Sequence, residues 1–139
     1  MRNRQYGFTM IELIVVIVIL GILAATALPK FVDLNSDAKA AALKGVVGAA
    51  ASAMTVNYGG CAVVQHAATA GKCVQISNCS SLGSIMQGGL PTGYTIAAAA
   101  LGAGTVGSNG VEATCTITQT GGASPPTATF TGISAGNGV

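Results

Sequence analysis

Charge is scarce in this chain of 139 residues: Asp, Glu, Lys and Arg together supply 7% of it, and there is a single histidine. One histidine leaves no nucleophile with a base partner, and no G-x-S-x-G elbow, phosphate loop or metal-ligand cluster occurs. The composition therefore offers no enzyme chemistry and calls for no cofactor. Asp33 and Asp37 lie one helical turn apart beside Lys30 and Lys39, which reads as a solvated or subunit-facing patch rather than a catalytic pair. The net charge is only +2. Arg2 and Arg4 lie in the short basic head, and beyond it Lys30, Lys39, Lys44 and Lys72 balance Glu12, Asp33, Asp37 and Glu112. No basic stripe exists to neutralise phosphates, so nothing points to nucleic acid. Aromatic residues make up 4% of the chain and tryptophan is absent. Phe31, Tyr58, Tyr94 and Phe130 are the aromatic side chains expected to serve the core.

What the chain has instead is a long apolar run near its start. From Phe8 to Leu28 the one charged residue is Glu12. As a helix this run is about 31 Å long, enough to cross the hydrocarbon of a bilayer. A lone carboxylate there costs roughly 2.5–3.5 kcal/mol on the insertion scale. No lysine or arginine lies within the run to offset it. The expected partner is another molecule or a chain terminus.

After Pro29 the pattern becomes amphipathic, with Phe31, Leu34, Ala38, Ala41, Ala42, Val46, Ala49, Ala50 and Ala53 near three- and four-residue spacing. Helix is expected from about Phe8 to Tyr58, weakened between Gly21 and Pro29 because proline removes a hydrogen bond and clashes with the preceding turn. Tyr58-Gly59-Gly60 reads as its stop. Residues 59–93 read as an irregular connection rich in Gly and Ser, with a short helical piece at Ser81–Gln87. Asn78-Cys79-Ser80 matches a glycosylation sequon and is read as coincidence. Strands are expected at Tyr94–Leu101, Val111–Gln119 and Thr127–Ile133. The second is the clearest, since Val111, Ala113, Cys115 and Ile117 alternate with polar residues.

Cys61, Cys73, Cys79 and Cys115 imply an oxidising compartment. Three pairings are open, with Cys61–Cys73 and Cys79–Cys115 preferred because one closes a loop and the other ties the loop region to a strand. A metal site using Cys61, His66, Cys73 and Cys79 matches no common zinc spacing. The architecture expected is α+β: a long amino-terminal helix on a small antiparallel sheet, tied by disulfides.

Gly7, Phe8, Thr9, Glu12 and the apolar helix behind them resemble the amino terminus of a type IV pilin precursor. A secretory signal loses its apolar region on cleavage, whereas here that region follows the cut and stays. The resemblance implies that a prepilin peptidase cuts between Gly7 and Phe8 and that Phe8 is then N-methylated. It divides the chain into a leader (1–7), a transmembrane and fibre-core half-helix (8–34) and a globular head (35–139), with loop 59–93 and sheet 94–134. Tyr6 and Met10 depart from the commoner residues of the family. The segment Leu28-Pro29-Lys30-Phe31-Val32-Asp33-Leu34 is also similar to the mannose-sensitive haemagglutinin branch.

What the resemblance implies is a major type IVa pilin, a structural subunit of a fibre serving adhesion, twitching motility or DNA uptake. Its partners are then itself, the prepilin peptidase, the assembly platform with its motor ATPases, and minor pilins. It waits in the inner membrane and ends in an extracellular pilus on the bacterial surface. In the fibre the Gly21–Pro29 stretch melts, and Glu12 pairs with the Phe8 amine of a neighbour. The alternative is a major pseudopilin of a type II secretion system, which shares the cleavage motif. Pseudopilins of that kind hold calcium with acidic residues in a carboxyl-terminal loop, and Ser124–Val139 contains no Asp or Glu.

Overall fold

The computed structural model describes residues 7–121 and 124–139, and of residues 28, 29 and 31–33 the backbone alone. Helix α1 spans Met10–Val63, a short 3-10 helix spans Cys79–Ser84, and three strands follow: β1 (Tyr94–Ile96), β2 (Glu112–Gln119) and β3 (Thr127–Ile133). The chain divides into two compact units, one ending at Ala38 and one comprising Lys39–Val139.

The α1 backbone is helical throughout Met10–Val63, Gly21 and Pro29 included. One missing donor in a helix of 54 residues leaves the rest of its hydrogen-bond ladder in place. The helix also runs past its expected stop at Tyr58. Asn57 grips the backbone of Val74 through two hydrogen bonds, Nδ2 to the carbonyl (2.8 Å) and Oδ1 from the amide (2.9 Å). Gly60 then abuts the Lys72 carbonyl, where any side chain would collide. These contacts carry the helix through Cys61. It closes only where Gln65 and His66 adopt left-handed φ of 54° and the His66 amide bonds back to the Cys61 carbonyl at 2.7 Å.

In the second unit the buried stripe of α1 is Leu43, Ala50, Met54, Asn57 and Cys61. Ala41, Ala42 and Ala49, also part of the small-residue pattern, are exposed. The larger Leu43 and Met54 bury more apolar surface and so set which face turns inward. Phe31 falls among the residues whose side chains are not described.

The sheet is an antiparallel meander in the order β1-β2-β3. Cys115 and Ile117 of β2 and Phe130 of β3 point into the core, meeting Leu43, Ala50 and Met54 together with Ile76, Leu82 and Leu101. Alternate residues face away. Thr114, Thr116 and Thr118 stand opposite Thr131, Thr129 and Thr127 in register, and Thr95 of β1 stands opposite Thr118.

β1 is shorter than the expected Tyr94–Leu101. Beyond Ala97, whose amide still reaches the Thr116 carbonyl, the chain leaves β2. It pairs instead with the segment before the 3-10 helix, through Cys79 N to Ala99 O (2.9 Å) and Leu101 N to Ser77 O (2.8 Å). The short helical piece likewise lies earlier than expected. Asn78 caps it, its Oδ1 accepting from the amide and the hydroxyl of Ser80 at 2.9 Å each.

Two disulfides tie this unit, Cys61–Cys73 and Cys79–Cys115. Gly132 makes room for the second, because a Cβ there would lie 2.5 Å from Cys115 Sγ and 3.0 Å from a Leu101 methyl.

Candidate functional site

Gly7 and Phe8 precede the helix in non-helical backbone and are exposed. Thr9 is the last residue before α1 and acts as its N-cap. Glu12 is the third residue of the helix, and its Oε2 accepts from the Thr9 amide (2.9 Å) and the Thr9 hydroxyl (2.7 Å). The Glu12 amide in turn points at the Thr9 hydroxyl at 3.4 Å. This is a capping box: two side chains reciprocally satisfy amide donors that the first helical turn leaves without carbonyl partners.

The lone carboxylate is therefore not without a partner in the isolated chain. It has one on its own helix, and that partner is Thr9. The spacing Thr9-Met10-Ile11-Glu12 ahead of an apolar run is the signature of such a box, and it is the signal that reading Glu12 as a charge alone overlooks.

Around this box the helix is bare. Met10–Ala27 is apolar enough to cross a membrane, with a mean hydropathy of 2.7 and none of it buried within the protein. Phe8, Ile11, Glu12, Val15 and Val16 line a shallow open concavity of about 290 Å³. A carboxylate rimmed by aliphatic side chains on a membrane-length helix can accept a cation from a second apolar surface, provided that surface brings its own charge. It can do little covalent chemistry, since among the described residues no second titratable group lines this concavity.

The remaining residues of interest lie elsewhere. All four cysteines are joined in the two disulfides, and the His66 ring lies tilted against that of Tyr58, with centroids 5.2 Å apart. Among the described residues no cluster of His, Cys, Asp or Glu is arranged to hold a metal ion.

A family described as the prokaryotic N-terminal methylation motif matches residues 2–28. The type IV narrow pilus major component PilA5 of Thermus thermophilus is 49% identical over 53 residues, which is 38% of this chain and 46% of that protein. The type IV major alpha-pilin of Moraxella bovis is 46% identical over 52 residues, 37% of this chain and 33% of that one. The amino terminus of the chain is thus similar to those of type IV pilins. The same stretch is 47% identical over 53 residues to the type II secretion system core protein G of Pseudomonas aeruginosa, covering 38% of this chain and 37% of that protein. The chain spans less than half the length of these curated relatives. No solved structure matches it. The long helix, the small antiparallel sheet and the disulfides fit the type IV pilin fold.

Thr9→Val removes the hydroxyl that both accepts from and donates to Glu12. Loss of an N-cap side chain costs about 0.5–2 kcal/mol of helix stability. In detergent micelles the amides of residues 10–12 are expected to exchange with solvent several-fold faster, while those of residues 40–60 are unchanged. Equal exchange at residues 10–12 would count against the capping role.

Proposed function

We propose that this chain is the major structural subunit of a type IV pilus. The observation that carries the reading is Glu12: a carboxylate one turn inside a bare apolar helix, held among the described residues by a neighbouring threonine. A prepilin peptidase cuts between Gly7 and Phe8, and methylation of Phe8 keeps a cationic amine at the new terminus. In the growing fibre Glu12 leaves Thr9 and takes the Phe8 amine of an adjacent copy. The pair forms in low dielectric, where opposite charges attract strongly and an unpaired charge is costly.

Residues 1–7 are then the leader, 8–34 the part that spans the inner membrane and later forms the fibre core, and 35–139 the head. Gly21–Pro29 is where the helix unwinds in the fibre, since the chain there already lacks one donor. The partners are further copies of the chain, the prepilin peptidase, the assembly platform with its motor ATPases, and minor pilins. The product is an extracellular fibre used in adhesion, motility or DNA uptake, and no catalysis is assigned to the subunit.

The second reading is a major pseudopilin, favoured by the likeness to the secretion core protein G. Against it stand the lack of Asp and Glu in Ser124–Val139 and the two disulfides in the head. Negative-stain imaging of material sheared from cells, with this chain identified by mass spectrometry, separates the two. Long surface filaments containing this chain at its native expression level are expected. Its confinement to the envelope would overturn the pilus reading.

A further inference from the structure

The carboxyl-terminal tail is fastened by two asparagines that hold each other. Asn109 Nδ2 donates to the Gly138 carbonyl at 2.6 Å, and Asn109 Oδ1 accepts from the Asn137 amide at 3.0 Å. Asn137 Nδ2 donates back to the Ser108 carbonyl at 2.8 Å, and its Oδ1 accepts from Gln75 Nε2 at 3.0 Å. Asn137 is buried, as are Ser134, Ala135 and Gly136 before it. This polar cluster joins the tail to the segments around Gln75 and Ser108.

Both asparagines are followed by glycine, Asn109-Gly110 and Asn137-Gly138. An Asn-Gly pair is the dipeptide most prone to spontaneous deamidation, because glycine offers no side chain to hinder the ring closure. The glycine nitrogen attacks the asparagine Cγ, a nitrogen–Cγ bond forms, and the Cγ–Nδ2 bond breaks. Ammonia leaves with the proton given up by the glycine nitrogen. Water then opens the resulting succinimide at either carbonyl, giving aspartate or isoaspartate. Nothing beyond water is needed.

Both nitrogens that this reaction uses are engaged at each site. The Gly110 amide donates to the Ser134 carbonyl at 2.9 Å, and the Gly138 amide donates to the His66 carbonyl at 2.8 Å. Both attacking nitrogens are thus held by their protons, and both leaving amides are held by carbonyls across the cluster. Attack requires the tail to lift, since the acceptors lie on other segments.

We propose that Asn109-Gly110 and Asn137-Gly138 form a latent modification site, two deamidation-prone dipeptides that protect one another only while the tail is docked. Conversion of either is self-propagating. An aspartate at 109 presents an acceptor oxygen where Nδ2 now donates to Gly138, so two oxygens face each other and the tail is pushed off. Asn137 then loses its own protection. The change is irreversible and adds negative charge to a head whose charges are few.

The test follows the full chain in detergent micelles at neutral pH by peptide mass mapping, beside the same chain reduced and held in denaturant. Locally protected groups react in proportion to the population of the open state. Both Asn-Gly sites are expected to deamidate at least about tenfold more slowly in the folded chain. Asn109→Asp is expected to raise the rate at Asn137 by about the same factor, with faster hydrogen exchange at the Gly138 amide. Equal rates folded and unfolded would overturn the proposal. So would Asn109→Asp leaving both the Asn137 rate and Gly138 exchange unchanged.

Discussion

Cells making the Glu12→Val chain are expected to insert it and remove its leader normally, yet to display less than about a tenth of the normal surface fibre. Insertion does not suffer, because the substitution takes away a carboxylate that costs roughly 2.5–3.5 kcal/mol in the bilayer. On the proposed pairing, assembly suffers because the Phe8 amine of the adjacent copy then meets no counter-charge. Removing one member of a buried pair costs about 3–5 kcal/mol, more than a hundredfold in an association constant.

Valine alone conflates two losses, since Glu12 also caps its own helix through Thr9. Glu12→Gln separates them. Glutamine can keep the capping box but carries no charge to offer an amine. Quantitative immunoblotting of sheared fibre should therefore show both substitutions strongly reduced. Normal yield from Glu12→Gln would leave Glu12 as a helix cap and remove the ion pair from the account of assembly.

The second large effect is on the head. Replacing Cys79 and Cys115 together by serine opens a cross-link of sequence separation 36. In the chain-entropy treatment a loop of that size contributes about 4 kcal/mol, against about 3 kcal/mol for Cys61–Cys73 with its separation of 12. Both sulfurs of the larger link lie in the main core beside Leu82 and Ile117, so serine hydroxyls there also want hydrogen bonds that apolar neighbours cannot give. For a domain of this size, each kcal/mol shifts the melting temperature by roughly 4–8 °C, so a fall of about 15–30 °C is expected. Thermal unfolding followed by circular dichroism in detergent measures it. A fall of only a few degrees would mean that the thin core stands without this cross-link.

The parts legible in the sequence were those governed by local pattern. The β2 alternation placed Cys115 and Ile117 inward, and the apolar run from Phe8 gave the first half of α1. The errors came where distant segments compete. Nothing near Ala99 or Leu101 shows that they leave β2 for Ser77 and Cys79. Tyr58-Gly59-Gly60 resembles a helix stop because the Asn57 clamp on Val74 and the close approach of Lys72 come from outside the helix. Small residues inform less: alanines at regular spacing mark an apolar stripe, but burial followed Leu43 and Met54. The Asn109–Asn137 clasp joins residues far apart in the chain, and polar residues in glycine-rich segments read as loop. At the amino terminus the carboxylate was legible and its resident partner, three residues before it, was not.

β3 lies at the edge of its sheet, and none of its seven residues carries a charge. Exposed edges are usually blunted by lysine, by proline or by a bulge that bends the strand away. Here Pro125 and Pro126 stand just ahead of the strand, and the edge beyond them is left to threonines. An edge of that kind invites an added strand from any extended chain nearby. Because no ion pairs are involved, changes in salt will govern such clumping weakly. Concentration and the time spent partly unfolded will govern it instead.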